Sequence, residues 1–432
     1  MARVRFEDTS CGIDAAVTKA LDSFGSPRSL LRRSGAVFLK VNLIDSKPHV
    51  FTSVEVVRAI VTRFLAGGAR AVYVIENSTQ GNFTRLVFEA TGMRRMCEET
   101  GAIPVYLDET AEMPMYLERL GSFVRIPDFV HEHLVRKRDE NLYISVPKLK
   151  THSMSTVTLG IKNQFGLLHH RSRIPDHNFR LHQKIADIYA NIRPDLTLID
   201  ATEATNHGHY PATGFASECV VPLDLVIAGD DPLATDVVAA KFLGFDLQDV
   251  EHLRLAAAYR LGESDLGRID IENRHLFEER AQHFSSDLLG RFPEDVRIIR
   301  GKTLCCREGC MRNTETVLEV FGRDFGGKGG FTILMGKGID PAEAASVTGR
   351  VHIAGDCAMS EWYPELKARL GARNVTVSPG CNDLAKTIDG LAKQMGIPPY
   401  RLSPLSPLKS VALLAEAYLH GTRSNVTNVF RI

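Results

Sequence analysis

Apolar runs alternate with amphipathic stretches along most of the chain. Residues 36–41, 71–75, 142–146 and 196–199 are short, nearly continuous apolar segments. That is the pattern of strands buried on both faces. Residues 54–65 repeat apolar positions at helical spacing and stop at Gly67-Gly68; residues 84–90 do the same before Gly92. Ser53 is placed as an N-cap, and Glu55 and Glu89 are expected in first helical turns. A charged stretch at 265–295 interrupts the pattern. It resumes with strands at 296–299, 331–334, 351–354 and 374–377, and helices at 314–321 and 383–395. A Pro-rich run then leads into a helix at 408–419. The alternation predicts an α/β fold of two mostly parallel, doubly wound domains with a cleft between them. The expected divisions are an α/β binding domain at 1–265, a helical connector at 266–295, a smaller α/β domain at 296–400 and a tail with a helix at 401–432.

Composition narrows the classes. Lys plus Arg number 52, and so do Asp plus Glu. Zero net charge argues against a nucleic-acid binder with a broad basic face. No stretch approaches the ~20 apolar residues of a membrane span, and the first residues carry no apolar signal run. A cytoplasmic location without a membrane or nucleic-acid partner is therefore expected. No Gly-x-Gly-x-x-Gly follows a strand and no Walker-type loop is present, which lowers the case for nicotinamide or ATP chemistry.

The cysteines are unevenly spread. Cys11, Cys97 and Cys219 are scattered, whereas Cys305, Cys306, Cys310, Cys357 and Cys381 each follow a strand of the second half or lie near its end. Ligands of open α/β sheets bind beyond the carboxyl ends of strands. Gly309, Gly355 and Gly380 allow tight turns beside the cysteines. Thiolates converging from loops suit an iron–sulfur cluster. Zinc, redox thiols and ordinary buried cysteines are the alternatives.

The first half has polar residues at its own strand ends. Lys40 and Asn42 follow 36–41, and Glu76 follows 71–75. Lys148, Lys150 and His152 follow 142–146. Lys162 and Asn163 lie in Leu-Gly-Ile-Lys-Asn-Gln-Phe-Gly, and His209 in a glycine-bracketed loop. Lysines at strand exits can anchor a carboxylate or phosphate, although solvated surface lysine is the commoner fate. A histidine among them can move a proton near neutral pH. His169, His170, His177, His182, His207 and His209 are locally dense. They form no His-Glu-x-x-His spacing; His177 and His182 are candidate anion contacts. Asp200, Asp230 and Asp236 could orient a lysine, bind a cation or cap a helix.

Two resemblances follow from these residues. Cys-Cys-Arg-Glu-Gly-Cys at 305–310, Gly355-Asp356-Cys357-Ala358 and Pro379-Gly380-Cys381-Asn382 resemble the cluster-binding pattern of nickel–iron hydrogenase small subunits and of the matching subunit of respiratory complex I. That resemblance implies a [4Fe–4S] cluster held by Cys306, Cys310, Cys357 and Cys381, with Cys305 as the alternative ligand. Asn382 replaces the usual proline. Residues 30–262 resemble the family called domain of unknown function 362, through Leu-Lys-Val-Asn-Leu at 39–43, Ser-Val-Pro-Lys-Leu-Lys-Thr-His at 145–152, the 159–166 motif and Ala-Gly-Asp-Asp-Pro-Leu-Ala-Thr-Asp at 228–236. The same region is distantly similar to the N-terminal domain of lactate racemase, which implies an anion-binding cleft.

The function expected from these features is an iron–sulfur oxidoreductase acting on a small anionic organic substrate. His152, Lys150 and Lys162 are the catalytic candidates. Lys40, Asn42, Lys148, Asn163, His177 and His209 are the substrate contacts. A lyase or sulfur-handling enzyme with an open cluster iron is one alternative, and an electron or cluster carrier without a substrate is the other. A ferredoxin-like redox partner and a homodimer complete the expected partners.

Overall fold

The structure is a computed structural model and describes residues 1–173 and 178–430. In chain order the first strands are β1 (Ala2–Asp8), β2 (Ala36–Val41), β3 (Ala71–Glu76), β4 (Ile103–Tyr106), β5 (Glu112–Leu117), β6 (Ser122–Pro127), β7 (Leu142–Val146), β8 (Lys148–His152), β9 (Thr156–Thr158), β10 (Leu196–Thr205), β11 (Val220–Gly229) and β12 (Ile269–Glu272). The main sheet runs β12-β1-β11-β10-β7-β2-β3-β4; β8 pairs with β10, and β9 with β8. β5 and β6 pair only with each other. Along the main path β11 alone runs against its neighbours, so the sheet is mostly parallel as the sequence pattern predicts.

The apolar runs are continuous because both faces of this sheet are covered. Val37, Leu39 and Val41 pack with the helices Ile13–Asp22 and Val54–Ala66. Phe38 and Tyr143 point to the opposite side, where Ile185 and Val237 lie on the helices Leu181–Asn191 and Pro232–Phe242. The period-2 alternation of β2 puts Lys40 on the Phe38 side at the carboxyl end of the strand.

A second sheet is formed by β13 (Val296–Arg300), β14 (Phe331–Met335), β15 (Arg350–Ala354) and β16 (Val375–Ser378), all parallel and in that order. One face packs on Leu318 and Phe321 of the helix Arg312–Phe325 and Leu391 and Met395 of the helix Leu384–Met395. The other packs on Ala344, Val347 and Leu366. The helix Pro407–Leu419 then returns to the first half of the chain. Glu416 meets Arg85 at 2.7 Å, Thr422 donates to Asp108 at 3.0 Å, and the Arg423 N–H donates to the Asp108 carbonyl at 2.8 Å.

Three local expectations are corrected. The stretch 266–295 is not a helical connector. Ile269 and Ile271 alternate with Asp270 and Glu272, and this half-buried strand extends the first sheet beside β1; only Arg274–Arg280 is α-helical, and 281–295 has no regular element. Glu89 lies in the second turn of the helix Thr84–Thr91, where Lys409 meets it at 2.6 Å. Ser53 starts its helix without a side-chain cap, because its hydroxyl donates to Glu55. No helix among the described residues is long and apolar enough to cross a membrane.

The aspartates of the first half are mainly structural. Asp231 caps the helix Pro232–Phe242 through the N–H groups of Leu233 and Ala234. Asp230 holds Arg3. Asp200 accepts from the Ser53 N–H at 2.7 Å and from Lys148 at 3.2 Å. Asp236 is fully buried and takes the N–H groups of Gly160 and Ile161 at 2.8 and 2.7 Å, which fixes the turn carrying Lys162 and Asn163. Burial pushes the Asp236 carboxyl from the ordinary 3.8 up to about 7, against those hydrogen bonds. A raised folded-state value adds stability that is complete below the unfolded value and lost as pH rises through about 7. Urea midpoints measured across that window should fall in the wild type relative to Asp236→Asn; parallel pH profiles would contradict the assignment.

Candidate functional site

At the carboxyl ends of β2 and β3 a lysine and a glutamate are buried together. Lys40 Nζ lies 2.8 and 2.9 Å from the Glu76 carboxylate oxygens and 2.8 Å from the Val41 carbonyl. Both side chains are only 1% exposed. Glu76 also accepts the N–H groups of Leu43 and Asn77, each at 2.8 Å. Asn163 braces the pair from the other side, donating to the Lys40 carbonyl at 2.8 Å and accepting from Lys40 Nζ at 3.3 Å. A Cβ at Gly166 would sit 2.7 Å from Lys40 Nζ and 2.9 Å from Glu76 Oε1, so only glycine lets that backbone pass. Burial is the main influence lowering the Lys40 pKa, opposed by Glu76.

This pair lies in the wall of a cavity of about 220 Å³. Lys150, Lys162, Arg173, His152, His209 and Asn42 line it too. Lys150 is fully buried and donates to the Val50 carbonyl at 2.6 Å; burial and the charges of Lys162 and Lys148 push its pKa well down. Lys162 makes no ion pair among the described residues and lies 5.1 Å from the centre of the Phe165 ring. Desolvation, then Arg173 and Lys40, lower it to about 8. Arg173 donates to the carbonyls of Asn77 and Ser78, while its buried Nε has no hydrogen-bond partner among the described residues; burial lowers its pKa to about 10. Asn42 Oδ1 is likewise buried without a partner. His152 stacks on His209 with ring centres 3.7 Å apart. Its Nδ1 accepts from the N–H groups of Met154 and Ser155 at 3.2 and 3.4 Å, which places the proton of the neutral ring on Nε2.

The expected site residues thus come together with exceptions. Lys148 faces Asp200 at 3.2 Å and Glu203 at 3.6 Å and does not line the cavity. The β8–β10 pairing breaks register between Asp200↔Lys148 and Thr205↔Lys150, so lysines two residues apart reach different places. His177 lies outside the described residues. The histidines do not gather: His169 pairs with Glu112, His182 lies near Glu251 and Glu308, and His207 meets the Asp287 carbonyl. Arg173, absent from the sequence-based candidates, follows no strand and carries no motif. Glu76 was legible at its strand end, but its pairing with Lys40 was not.

The second half contributes the opposite wall through Asn313, Val317, Phe321, Asn382, Leu384 and Ile388, and the tail adds Thr427 and Phe430. Asn382 follows Cys381, and Asn313 lies three residues after Cys310. All five cysteines of this half lie at the carboxyl edge of the second sheet. Cys310 is buried at 3.5 Å from the Ala354 carbonyl, and a Cβ at Gly355 would lie 2.8 Å from its sulfur. Burial, then Cys305 and Cys306, push the Cys310 thiol up to about 12. Cys306 and Cys357 are exposed. Asn382 has φ +68° and joins Cys381 to the fold by bonds to Thr314 and Thr387. Proline is fixed near −65°, so proline could not take the backbone conformation of Asn382. Among the described residues no three His, Cys, Asp or Glu side chains are gathered to hold a metal ion.

Residues 37–241 match the family described as "Domain of unknown function (DUF362)". The match takes in the whole of the Lys40, Lys150, Lys162 and Arg173 set. The chain is also similar to "Thylakoid-associated protein sll1697" of Synechocystis sp., with 26% identity over 260 residues, 57% of this chain and 74% of that one.

Two outcomes follow. Lys40→Met leaves the Glu76 charge buried alone and should cost roughly 3–5 kcal/mol in urea unfolding, with much of it recovered in Lys40→Met/Glu76→Gln. Inorganic phosphate or a carboxylate held by Lys162 should bind more weakly as pH rises through about 8, because the ammonium is lost. Titration calorimetry of Lys162→Met should show that step removed.

Proposed function

We propose that the chain is an iron–sulfur enzyme that binds a small organic anion in this cavity and reduces or oxidises it. The observation that carries the reading is the shared wall: Asn313 and Asn382, next to the cysteine-bearing loops, line the same cavity as Lys40, Lys150, Lys162 and Arg173. Among the described residues Lys150, Lys162 and Arg173 make no ion pair; Glu76 is taken by Lys40, and Asp45 is the other carboxylate in the lining. An anion entering there gains charge-assisted hydrogen bonds in a poorly solvated space.

Each residue has a part in this reading. Lys162 and Arg173 grip the anionic group, with the unpartnered Arg173 Nε supplying one more donor. Asn42 Oδ1 accepts from a hydroxyl or amide on the ligand. Lys40 is locked to Glu76 and keeps the floor of the site rigid. His152 holds a proton at Nε2 and is positioned by its backbone bonds and by His209 to deliver it.

The donor set beside the cavity is all thiol, which fits a cluster. Cys306, Cys310, Cys357 and Cys381 would hold it, and Cys305 is left over. A [4Fe–4S] cluster held there would supply single electrons, taken from a ferredoxin-like donor. Among the described residues the thiols lie at one edge without closing into a ligand set. The second reading is a three-cysteine cluster with an open iron in a lyase. The thylakoid association in the relative's name suggests testing a membrane-surface location beside the cytoplasmic one.

Iron and sulfide analysis of anaerobically purified protein tests the proposal. The expected result is about four irons per chain, lost in Cys306→Ala, Cys310→Ala, Cys357→Ala and Cys381→Ala and kept in Cys305→Ala. Retention in one of those four would shift the reading to the open-iron lyase. No iron after reconstitution would remove the redox reading and leave the anion site.

A further inference from the structure

The cavity is of mixed character. Every lysine or arginine that lines it comes from the first half: Lys40, Lys150, Lys162 and Arg173. The second half contributes mostly apolar groups, chiefly Val320, Phe321, Leu384, Ile388 and Leu402, and the tail adds Phe430. These side chains belong to two helices and a returning segment, fixed by their own packing in the second core and against Phe83. A fully polar ligand would fill the cationic part and leave this apolar wall in contact with trapped water. A fully apolar one would strip water from three cations without replacing it.

The space sets a lower size. The cavity of about 220 Å³ is many times the ~10–15 Å³ that a single water needs. A two-carbon acid cannot fill it. Among the described residues the second half and the tail bring no charged side chain to the lining; Asp45 and Gln80 come from the first half, and Gln80 is engaged with the Leu384 N–H. Asn313, Thr316, Asn382 and Thr427 are the polar groups there, and the Asn382 amide is engaged with Thr314 and Thr387.

We infer that the ligand is an amphipathic monoanion, a carboxylate joined to an aliphatic or aromatic body, with its head on the Lys162–Arg173 side and its body against Phe321, Ile388, Leu402 and Phe430. This rests on the anion-site reading and specifies its substrate class. Reaction at a position near the head would then be directed by the body, because the apolar wall fixes how deep the molecule sits.

Calorimetric titration of the full chain with acetate, butanoate, hexanoate, octanoate and 3-phenylpropanoate tests it, with octanamide as the uncharged control. Affinity should rise about fourfold per methylene, the ratio that ~0.8 kcal/mol per buried CH₂ gives, until the cavity is full. Lys162→Met should weaken every acid by a similar factor. Ile388→Ala and Leu402→Ala should weaken octanoate and 3-phenylpropanoate while leaving acetate unchanged. If either variant fails to fold, the chain-length series on the wild type still decides. Lys162-dependent binding with no chain-length trend would overturn the amphipathic assignment and leave the anion site standing. No binding of any acid would overturn both. Octanamide binding as tightly as octanoate would mark an apolar pocket and also overturn both.

Discussion

An ammonium and a carboxylate shut away from water between β2 and β3 set the terms for everything around them. Lys40 and Glu76 can stay charged there only as a pair, and only with their remaining hydrogen-bonding positions filled. The filling comes from the backbone of Leu43 and Asn77, from Asn163, and from a glycine at 166 that brings the chain close. Asn163 is in turn held by the turn that Asp236 caps. A chain of polar contacts therefore runs from the helix after β11 to the floor of the cavity. Lys150, Lys162 and Arg173 make no ion pair among the described residues, and they give the cavity its chemistry.

The second sheet meets the same requirement differently. Its carboxyl edge carries thiols, which need no partner when protonated and buried. Cys310 sits against the Ala354 carbonyl with no charge to satisfy, and burial keeps it protonated. Thiols can thus be stored at a sheet edge in a way that carboxylates cannot. Asn382 anchors the loop between this edge and the cavity, in a backbone conformation closed to proline.

Most of the regular framework was legible in the chain. Strands covered on both faces leave continuous apolar runs, and β2, β3, β7 and β13 to β16 fall where those runs lie. β12 was hidden because a half-buried edge strand in a charged stretch shows only two isoleucines. The site was legible as a list of residue types at strand ends, since a lysine following a buried strand has few ways to reach solvent. What the list could not carry was direction. Lys148 and Lys150 look equivalent in sequence, and a register break in the β8–β10 pairing separates them. Arg173 lies on a short helix, so no strand end marks it. The apolar wall depends on segments far apart in the chain, and local pattern does not encode which helices will face which loops.

The returning tail has a consequence for the order in which the site comes into being. Thr427 and Phe430 line the cavity, and the Asn425 carbonyl receives the Gly81 N–H at 2.7 Å. Domains emerging during synthesis fold from the N-terminal side first. Both sheets can therefore be complete while the cavity still lacks part of its wall. A nascent chain in that condition has its cations in place and one side of the chamber open to water, so ligand capture waits for this returning segment to dock.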